Sequence, residues 1–402
     1  MRMPRLSIVS RWIPAALVIV GLLALSGLPA RTAPSYEART ARGEAWNERG
    51  FAIAVVWPKR ERPDFVEGVK LAWEEIDGGK GPLAHKIRLR EYIESESPDE
   101  DGLPMRVAMA SDVMAVLGHA VPEHVVPASL VYERHSVLFL TPQATDPRST
   151  NHRFQYVFRL TPNDEQIARV LARFAENRGY RRVGVLYART DHGESASRAF
   201  IAHAALRGVR AAFLRSYHPG KGDWRTRDFR QLAAEIRTFA FDALLVADAL
   251  PAGGKLVHDL VRMGVTQPIL ATDKLDPEGL RQIAGEHAAR NVYSATAFDP
   301  SAATAEYQAF RRNFVKRYNY EPSYAAAQGY EAFMLTAHAH HASRTAAPLV
   351  LATTIRLAPS WTGLFGTYSF RNDGDMNGRR IAIARIGDRG MQTEYAWEGA
   401  EE

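Results

Sequence analysis

The stretch FAIAVVWPKRERPDFVEGVKLAWEEIDGG, residues 51–79, decides the class of fold. It opens with an unbroken apolar run rich in β-branched residues, the pattern of a strand buried on both faces. The period then changes: Val66, Val69, Trp73 and Ile76 recur at three- and four-residue spacing and share one face of a helix predicted over 64–77. Gly78 and Gly79 end it. A buried strand followed by a one-faced helix is half of a β-α-β unit, so the chain is expected to lay down parallel strands joined by crossover helices.

The same alternation continues along the chain. Strands are expected over 87–93, 113–117, 137–140, 183–187, 243–246, 268–271 and 292–295, and helices over 164–177, 194–207, 228–238, 255–263, 302–318 and 324–340. At 402 residues the chain exceeds what one core fills, which predicts two lobes. Leu160-Thr161-Pro162-Asn163-Asp164 marks a crossing from one run of strands and helices into another, and Ala297-Phe298-Asp299-Pro300 marks a return. Two crossings make the lobes interwoven. The expected division is 1–30 leader, 31–50 flexible linker, 51–160 first part of lobe one and 161–297 first part of lobe two. Residues 298–345 then complete lobe one, and 346–402 supply a hinge crossing, the rest of lobe two and a tail.

The N-terminus differs from this pattern. Arg2, Arg5 and Arg11 precede an apolar run over 13–28, and Leu28-Pro29-Ala30 offers a small-residue cleavage site. That order is a secretory signal, and the run is shorter than the roughly 20 residues a bilayer needs. It is either cut or kept as an anchor; no later segment is apolar enough to span. With no cysteine anywhere, neither a disulfide nor a lipid-modified N-terminal cysteine can form. Export without lipid predicts the periplasm.

Composition excludes several functions. The net charge of +6 includes the three leader arginines, and Lys and Arg form no stripe with interleaved aromatics, so no nucleic-acid partner is expected. No nucleophile elbow, phosphate loop or paired zinc-binding histidines appear, so the chain is not expected to be an enzyme. Glu74 and Glu75 are adjacent on a helix and point apart. His338, His340 and His341 lack further ligands nearby and stand where a helix dipole favours histidine, so neither a metal nor a cofactor is expected.

Three stretches, in order, carry a resemblance. They are Phe65-Val66-Glu67-Gly68-Val69-Lys70-Leu71-Ala72-Trp73, Leu140-Thr141-Pro142-Gln143-Ala144-Thr145-Asp146-Pro147 and Tyr324-Ala325-Ala326-Ala327-Gln328-Gly329-Tyr330. Weaker echoes lie at Val183-Gly184-Val185-Leu186-Tyr187 and at Phe370-Arg371-Asn372-Asp373-Gly374-Asp375. Together they resemble the branched-chain amino acid (Leu/Ile/Val) binding proteins of ABC importers, the type I periplasmic-binding fold. The resemblance implies an α/β protein of two doubly wound parallel-sheet lobes joined by three crossing strands. It further implies a monomer that holds a small molecule between the lobes and passes it to a permease in the inner membrane. A sensory module that reports ligand to a membrane receptor, or a receptor for a more apolar ligand, would use the same fold.

Open parallel sheets bind ligands beyond the carboxyl ends of their strands, which points to the loops at 57–64, 118–125, 141–146, 188–193, 247–251 and 272–276. By resemblance, the Thr145 hydroxyl and backbone meet a ligand carboxylate; otherwise Thr145 is a turn residue before Pro147. Gln143 and Ala144 share that loop, with the Gln143 carbonyl toward a ligand ammonium. Asp273 either pairs with that ammonium from lobe two or caps the next helix. Where the family offers a serine-rich turn, this chain has His119-Ala120-Val121-Pro122-Glu123-His124. A free carboxylate would meet Glu123 there unless His119 or His124 were protonated. Trp57 either stacks on the ligand or closes the core. Asp191 and His192 are expected on the lobe-two wall, and Asp248 there or as a cap.

Overall fold

The computed structural model describes residues 35–59, 64–77, 86–95, 102–219, 234–298, 304–387 and 390–397. The leader and its cleavage site lie outside these residues, as do most of the helix expected over 228–238 and part of the crossing at 297–300.

Among the described residues, helices α1 (Tyr36–Glu44) and α2 (Trp46–Arg49) precede the first strand. The described part of the expected flexible linker is therefore helical. Arg39 explains why: it is 1% exposed, and its guanidinium donates to the carbonyls of Ala108 and Val113, docking α1 on the first lobe.

Lobe one continues with β1 (Phe51–Pro58), α3 (Asp64–Asp77), β2 (Ile87–Glu94), α4 (Leu103–Ala108), β3 (Val113–Gly118), α5 (Pro122–Arg134), β4 (Leu138–Thr141) and β5 (Val157–Arg159). These five strands form one sheet in the order β2-β1-β3-β4-β5, and every pairing is parallel. Every residue of β1 is buried. Phe51, Ile53, Val55 and Trp57 enter the core on one face, while Ala52, Ala54 and Val56 enter the core on the other. The period of two thus splits one apolar run between two layers of helices.

The chain crosses into lobe two as α6 (Asp164–Asn177), whose first turn is closed by a capping box between Asn163 and Gln166. There follow β6 (Arg182–Ala188), α7 (Asp191–Ala205), β7 (Arg210–Tyr217), β8 (Ala243–Ala247), α8 (Ala252–Arg262), β9 (Ile269–Ala271), α9 (Pro277–Ala284), α10 (Glu286–Ala289) and β10 (Val292–Thr296). Helix α7 starts three residues before the expected 194 because Thr190 caps it through the Gly193 amide. Asp191 and His192 therefore sit in its first turn.

The return brings α11 (Ala305–Tyr318), α12 (Tyr324–Ser343), α13 (Pro348–Leu357), β11 (Trp361–Gly363), β12 (Gly366–Phe370) and β13 (Met376–Asn377). Helices α3 and α12 approach backbone to backbone, because a Cβ at Gly68 would strike the Ala326 carbonyl and one at Gly329 the Phe65 carbonyl. Residues 346–377, expected at the hinge and in lobe two, instead pack on lobe one. Leu351, Ile355, Tyr368, Phe370 and Met376 share its core with Phe158 and Phe333. Only β14 (Ile381–Gly387) and β15 (Gly390–Trp397) join the second sheet, whose order is β15-β14-β10-β9-β8-β6-β7. Those two strands run antiparallel, as an edge to an otherwise parallel sheet.

The chain is thus α/β with two doubly wound, interwoven sheets. A buried cluster ties the first and last crossings together. Arg159, fully buried at the end of β5, donates through Nε to Asp375 Oδ1 at 2.6 Å, and Asn163 Nδ2 donates to Asp375 Oδ2 at 2.7 Å. Burial alone would raise the Asp375 pKa, but the charge and hydrogen bond of Arg159 outweigh it and hold the carboxyl below its ordinary value.

Candidate functional site

A cavity of about 820 Å³ opens between the strand tips of the two lobes. Trp57, Asp64, Gln143, Tyr324 and Gln328 line it from lobe one; Leu250, Asp273, Lys274 and Asp276 line it from lobe two; Thr161, Pro162, Thr296 and Phe298 line it where the chain crosses.

On the lobe-one wall, Trp57 lies at the end of β1 and stacks on Phe65, with ring centroids 4.0 Å apart and planes 10° from parallel. It both closes the core and lines the cavity. In the loop after β4 only Gln143 lines the cavity, and its carbonyl accepts from Lys274 Nζ at 2.8 Å across the gap. Ala144 is turned inward, its carbonyl accepting from Arg159 Nη1 at 3.1 Å. Thr145 is buried too: its carbonyl accepts the Asp164 amide at 2.9 Å, and its hydroxyl lies 3.3 Å from His192 Nδ1. Gln328, in the second turn of α12, donates through Nε2 to the Pro142 carbonyl, while its Oε1 has no partner. A carbonyl can accept only from the amide nitrogen, so this bond fixes the side-chain amide's orientation.

The loop after β3 is not part of the cavity wall. His119 is 1% exposed, with Nδ1 2.6 Å from Glu94 Oε1 and Nε2 3.0 Å from the Tyr132 hydroxyl. Glu94 Oε2 accepts from the amides of Ala120 and Val121 at 2.8 and 3.2 Å, and His124 Nδ1 lies 3.2 Å from Oε1. The two amides that lead into α5 are thus satisfied by the protein's own carboxylate. Burial works to raise the Glu94 pKa, but the His119 hydrogen bond and charge and the two backbone amides bring it below its ordinary value. Glu123, by contrast, is exposed in the first turn of α5. The expected meeting of ligand, Glu123 and His119 is replaced by a Glu94–His119 pair that sequence reading missed. The available signal was an acid closing strand 87–94 beside the point where strand order reverses.

On the lobe-two side, Asp191 faces solvent and pairs with Arg148 at 2.7 Å on the rim, outside the cavity. His192 bridges the lobes from within: Nδ1 lies 3.3 Å from Thr145 Oγ1 of lobe one and 3.2 Å from Asp164 Oδ1 of its own lobe, and Nε2 is 3.0 Å from Thr272 Oγ1. Burial would lower its pKa, but the Asp164 charge and contact outweigh that and raise it; Asp164 is held low in turn, His192 overcoming the opposite push of burial. Asp248 accepts from the Tyr217 hydroxyl at 2.7 Å and from the Ala249 amide at 2.8 Å, and burial raises its pKa despite both bonds. It neither lines the cavity nor caps α8, whose N-terminus has no side-chain cap.

Asp273 does line the cavity. Oδ2 is 3.4 Å from Lys274 Nζ, and Oδ1 has no hydrogen-bond partner. Its capping alternative fails, because Asp276 caps α9 through the Gly279 amide. Tyr324, stacked near Phe298 with centroids 5.4 Å apart, has a hydroxyl buried without a hydrogen bond, and burial pushes its pKa up to about 12. Lys274, Tyr324 and Gln328 were missed as individual residues, although Tyr324 and Gln328 lie in a stretch whose order carried the resemblance. Of the three histidines of α12, His340 is held by packing, its Nδ1 bonding the Thr345 carbonyl at 2.7 Å and its ring meeting Trp46 edge-on, while His338 and His341 are exposed.

A family model described as "Periplasmic binding protein" matches residues 61–391. A Leu/Ile/Val-binding protein homolog from Brucella abortus is 22% identical over 83% of this chain and 89% of its own length. An amino acid binding protein from Pseudomonas aeruginosa is 24% identical over 55% of this chain, but the match spans only 58% of that relative. Among solved structures, an ABC transporter substrate-binding protein from Desulfitobacterium hafniense in complex with Leu is 26% identical, with a TM-score of 0.76 over 86% of this chain and 99% of that one. Two interleaved α/β lobes with a cavity between their strand tips, matched along nearly the whole chain, place this protein in the periplasmic binding protein family, a family of solute-binding proteins and not of enzymes.

Proposed function

We propose that this chain is a periplasmic solute-binding protein, exported by its N-terminal leader and working as a monomer. It captures a small nitrogen-bearing solute, an amino acid or a compound related to one, and presents it to an ABC permease in the inner membrane. One observation carries this reading: the interlobe cavity is lined by both lobes, and three of its lining residues hold buried polar atoms without partners, namely Asp273 Oδ1, Tyr324 Oη and Gln328 Oε1. A buried unpaired polar group costs about 1–3 kcal/mol, which a solute bonding to it offsets.

A solute that touches both walls favours the closed arrangement, because only a difference in affinity between open and closed states moves that equilibrium. Lys274 reaches from lobe two to the Gln143 carbonyl of lobe one, so closure already has a polar contact beside the cavity. Mass spectrometry of small molecules released from the purified, denatured protein should yield one dominant compound. Calorimetry should then show one saturable site per chain, and solution scattering a compaction on binding. A protein that binds no small molecule from periplasmic extract refutes the reading.

A further inference from the structure

We infer, resting on the receptor reading and narrowing it, that the solute is an α-amino acid whose carboxylate is seated on the N-terminus of α12. The Tyr324 and Ala325 amides and the Tyr324 hydroxyl hold it there, and Thr145 does not. The two places where the resemblance would seat a carboxylate are taken. Thr145 lies off the cavity, with its hydroxyl 3.3 Å from His192 Nδ1. The amides of Ala120 and Val121, which lead into α5, bond to the buried Glu94.

Helix α12 offers donors in their place. It runs 20 residues from Tyr324, and its Ser323 cap satisfies only the Ala326 amide. The amides of Tyr324 and Ala325 have no acceptor among the described residues, and both residues line the cavity. Free first-turn amides at the positive end of a helix dipole hold a negative group. No acid stands in this first turn, whereas α3 and α9, whose first turns also line the cavity, carry Asp64 and Glu278 there.

Two side chains of the same helix face then say what the seated group looks like. Tyr324 Oη is buried and unpaired on the cavity wall, with a proton to donate. Gln328, about one turn further along and 1% exposed, leaves Oε1 without a partner while the bond from Nε2 to the Pro142 carbonyl pins its orientation. Side chains on a helix lean toward its N-terminus, so the Gln328 head reaches back toward the free amides. A carboxylate accepts from the amides and the hydroxyl, whereas the Gln328 acceptor requires a donor beside it. An α-ammonium is the donor an amino acid carries next to its carboxylate. The acids of the wall do not exclude such a zwitterion, which is neutral overall: Asp276 caps α9, Glu278 pairs with Arg281 and Asp273 stands beside Lys274.

The test titrates the standard L-amino acids and their primary amides into the purified protein and three variants by calorimetry, alongside identification of any compound that copurifies. The amino acid that binds best is expected to bind at least about tenfold tighter than its amide. Tyr324→Phe removes only the hydroxyl, and Ala325→Pro removes one amide at the second helical position, which Pro104 occupies in α4. Each should weaken that amino acid about tenfold and narrow the gap between acid and amide, a change that a purely structural role would not produce. Thr145→Ala should leave its affinity nearly unchanged. An amide that binds as tightly as its acid, unchanged affinity in both α12 variants, loss of binding in Thr145→Ala alone, or a copurified solute that is not an α-amino acid overturns the inference and leaves the receptor reading intact. If neither the panel nor periplasmic extract supplies a saturable ligand, the receptor reading falls and the carboxylate seat falls with it.

Discussion

Two strand tips separate a polar group that serves the fold from one that waits for a partner. At the end of β2, Glu94 is buried and engages two backbone amides and two histidines. After β9, Asp273 is partly exposed, stands 3.4 Å from a single lysine and leaves one oxygen unpaired. Both are acids at the carboxyl end of a parallel strand, and sequence reading selected the second and overlooked the first. The difference teaches that proximity to a cleft does not mark a binding residue; an unmet hydrogen-bonding capacity on the cavity wall does.

Substitutions can break or sharpen that contrast. The largest effect is expected for Glu94→Ala, which strands two amides and a buried histidine and should cost about 3–5 kcal/mol of unfolding free energy in urea titrations. Its folded pKa is depressed, so the stability it supplies is present above the unfolded glutamate value and is lost as pH falls through the folded one. Unchanged stability with lost ligand binding would reverse the assignment of the two acids. Asp273→Ala should do the opposite, weakening solute binding by about 1–3 kcal/mol in calorimetry while leaving the urea midpoint nearly unmoved.

Smaller effects are expected at polar contacts across and beside the lobe junction. Lys274→Met removes the bond to the Gln143 carbonyl and should shift the ligand-free protein toward the open form by about 1 kcal/mol, read as a larger radius of gyration in solution scattering. The His192–Asp164 pair predicts a pH window. The raised histidine supplies stability below its unfolded pKa and loses it as pH rises through the folded value, whereas the depressed aspartate supplies it above its own unfolded value and loses it toward acid. Stability from this pair should therefore peak between about pH 4 and 6.5 and be flattened there by His192→Gln, as thermal unfolding across pH would show. The smallest effect belongs to Asp191→Ala, which leaves Arg148 its bonds to Asp146. The rim pair of Arg148 with Asp191 is more than half exposed on both sides, which leaves about 0.5 kcal/mol or less after solvent screening, within the scatter of a denaturation curve.

Much of the architecture was legible along the chain. A period of two in β1 and of 3.6 in α3 required only local sterics and burial, and repetition of that pair dictated parallel sheets. The segment 346–377 was misplaced because its strands are two to five residues long and its apolar residues show their destination only when packed beneath Phe158 and Phe333. The helical course of residues 36–49 was hidden for a related reason: Arg39 reads as a solvated charge until the carbonyls of Ala108 and Val113, far along the chain, surround it.

The site divides in the same way. By itself the sequence determined the two-lobed α/β class, an N-terminal run with the features of a secretory leader, and the strand-tip loops from which a cleft is built, because these follow from local periodicity and composition. Only the tertiary structure decided that Thr145 meets His192 and not the cavity, that Glu94 occupies the amides leading into α5, and that Asp273 and Gln328 are left with open acceptors. Whether a polar atom is satisfied depends on neighbours tens to hundreds of residues away, and no local pattern encodes that.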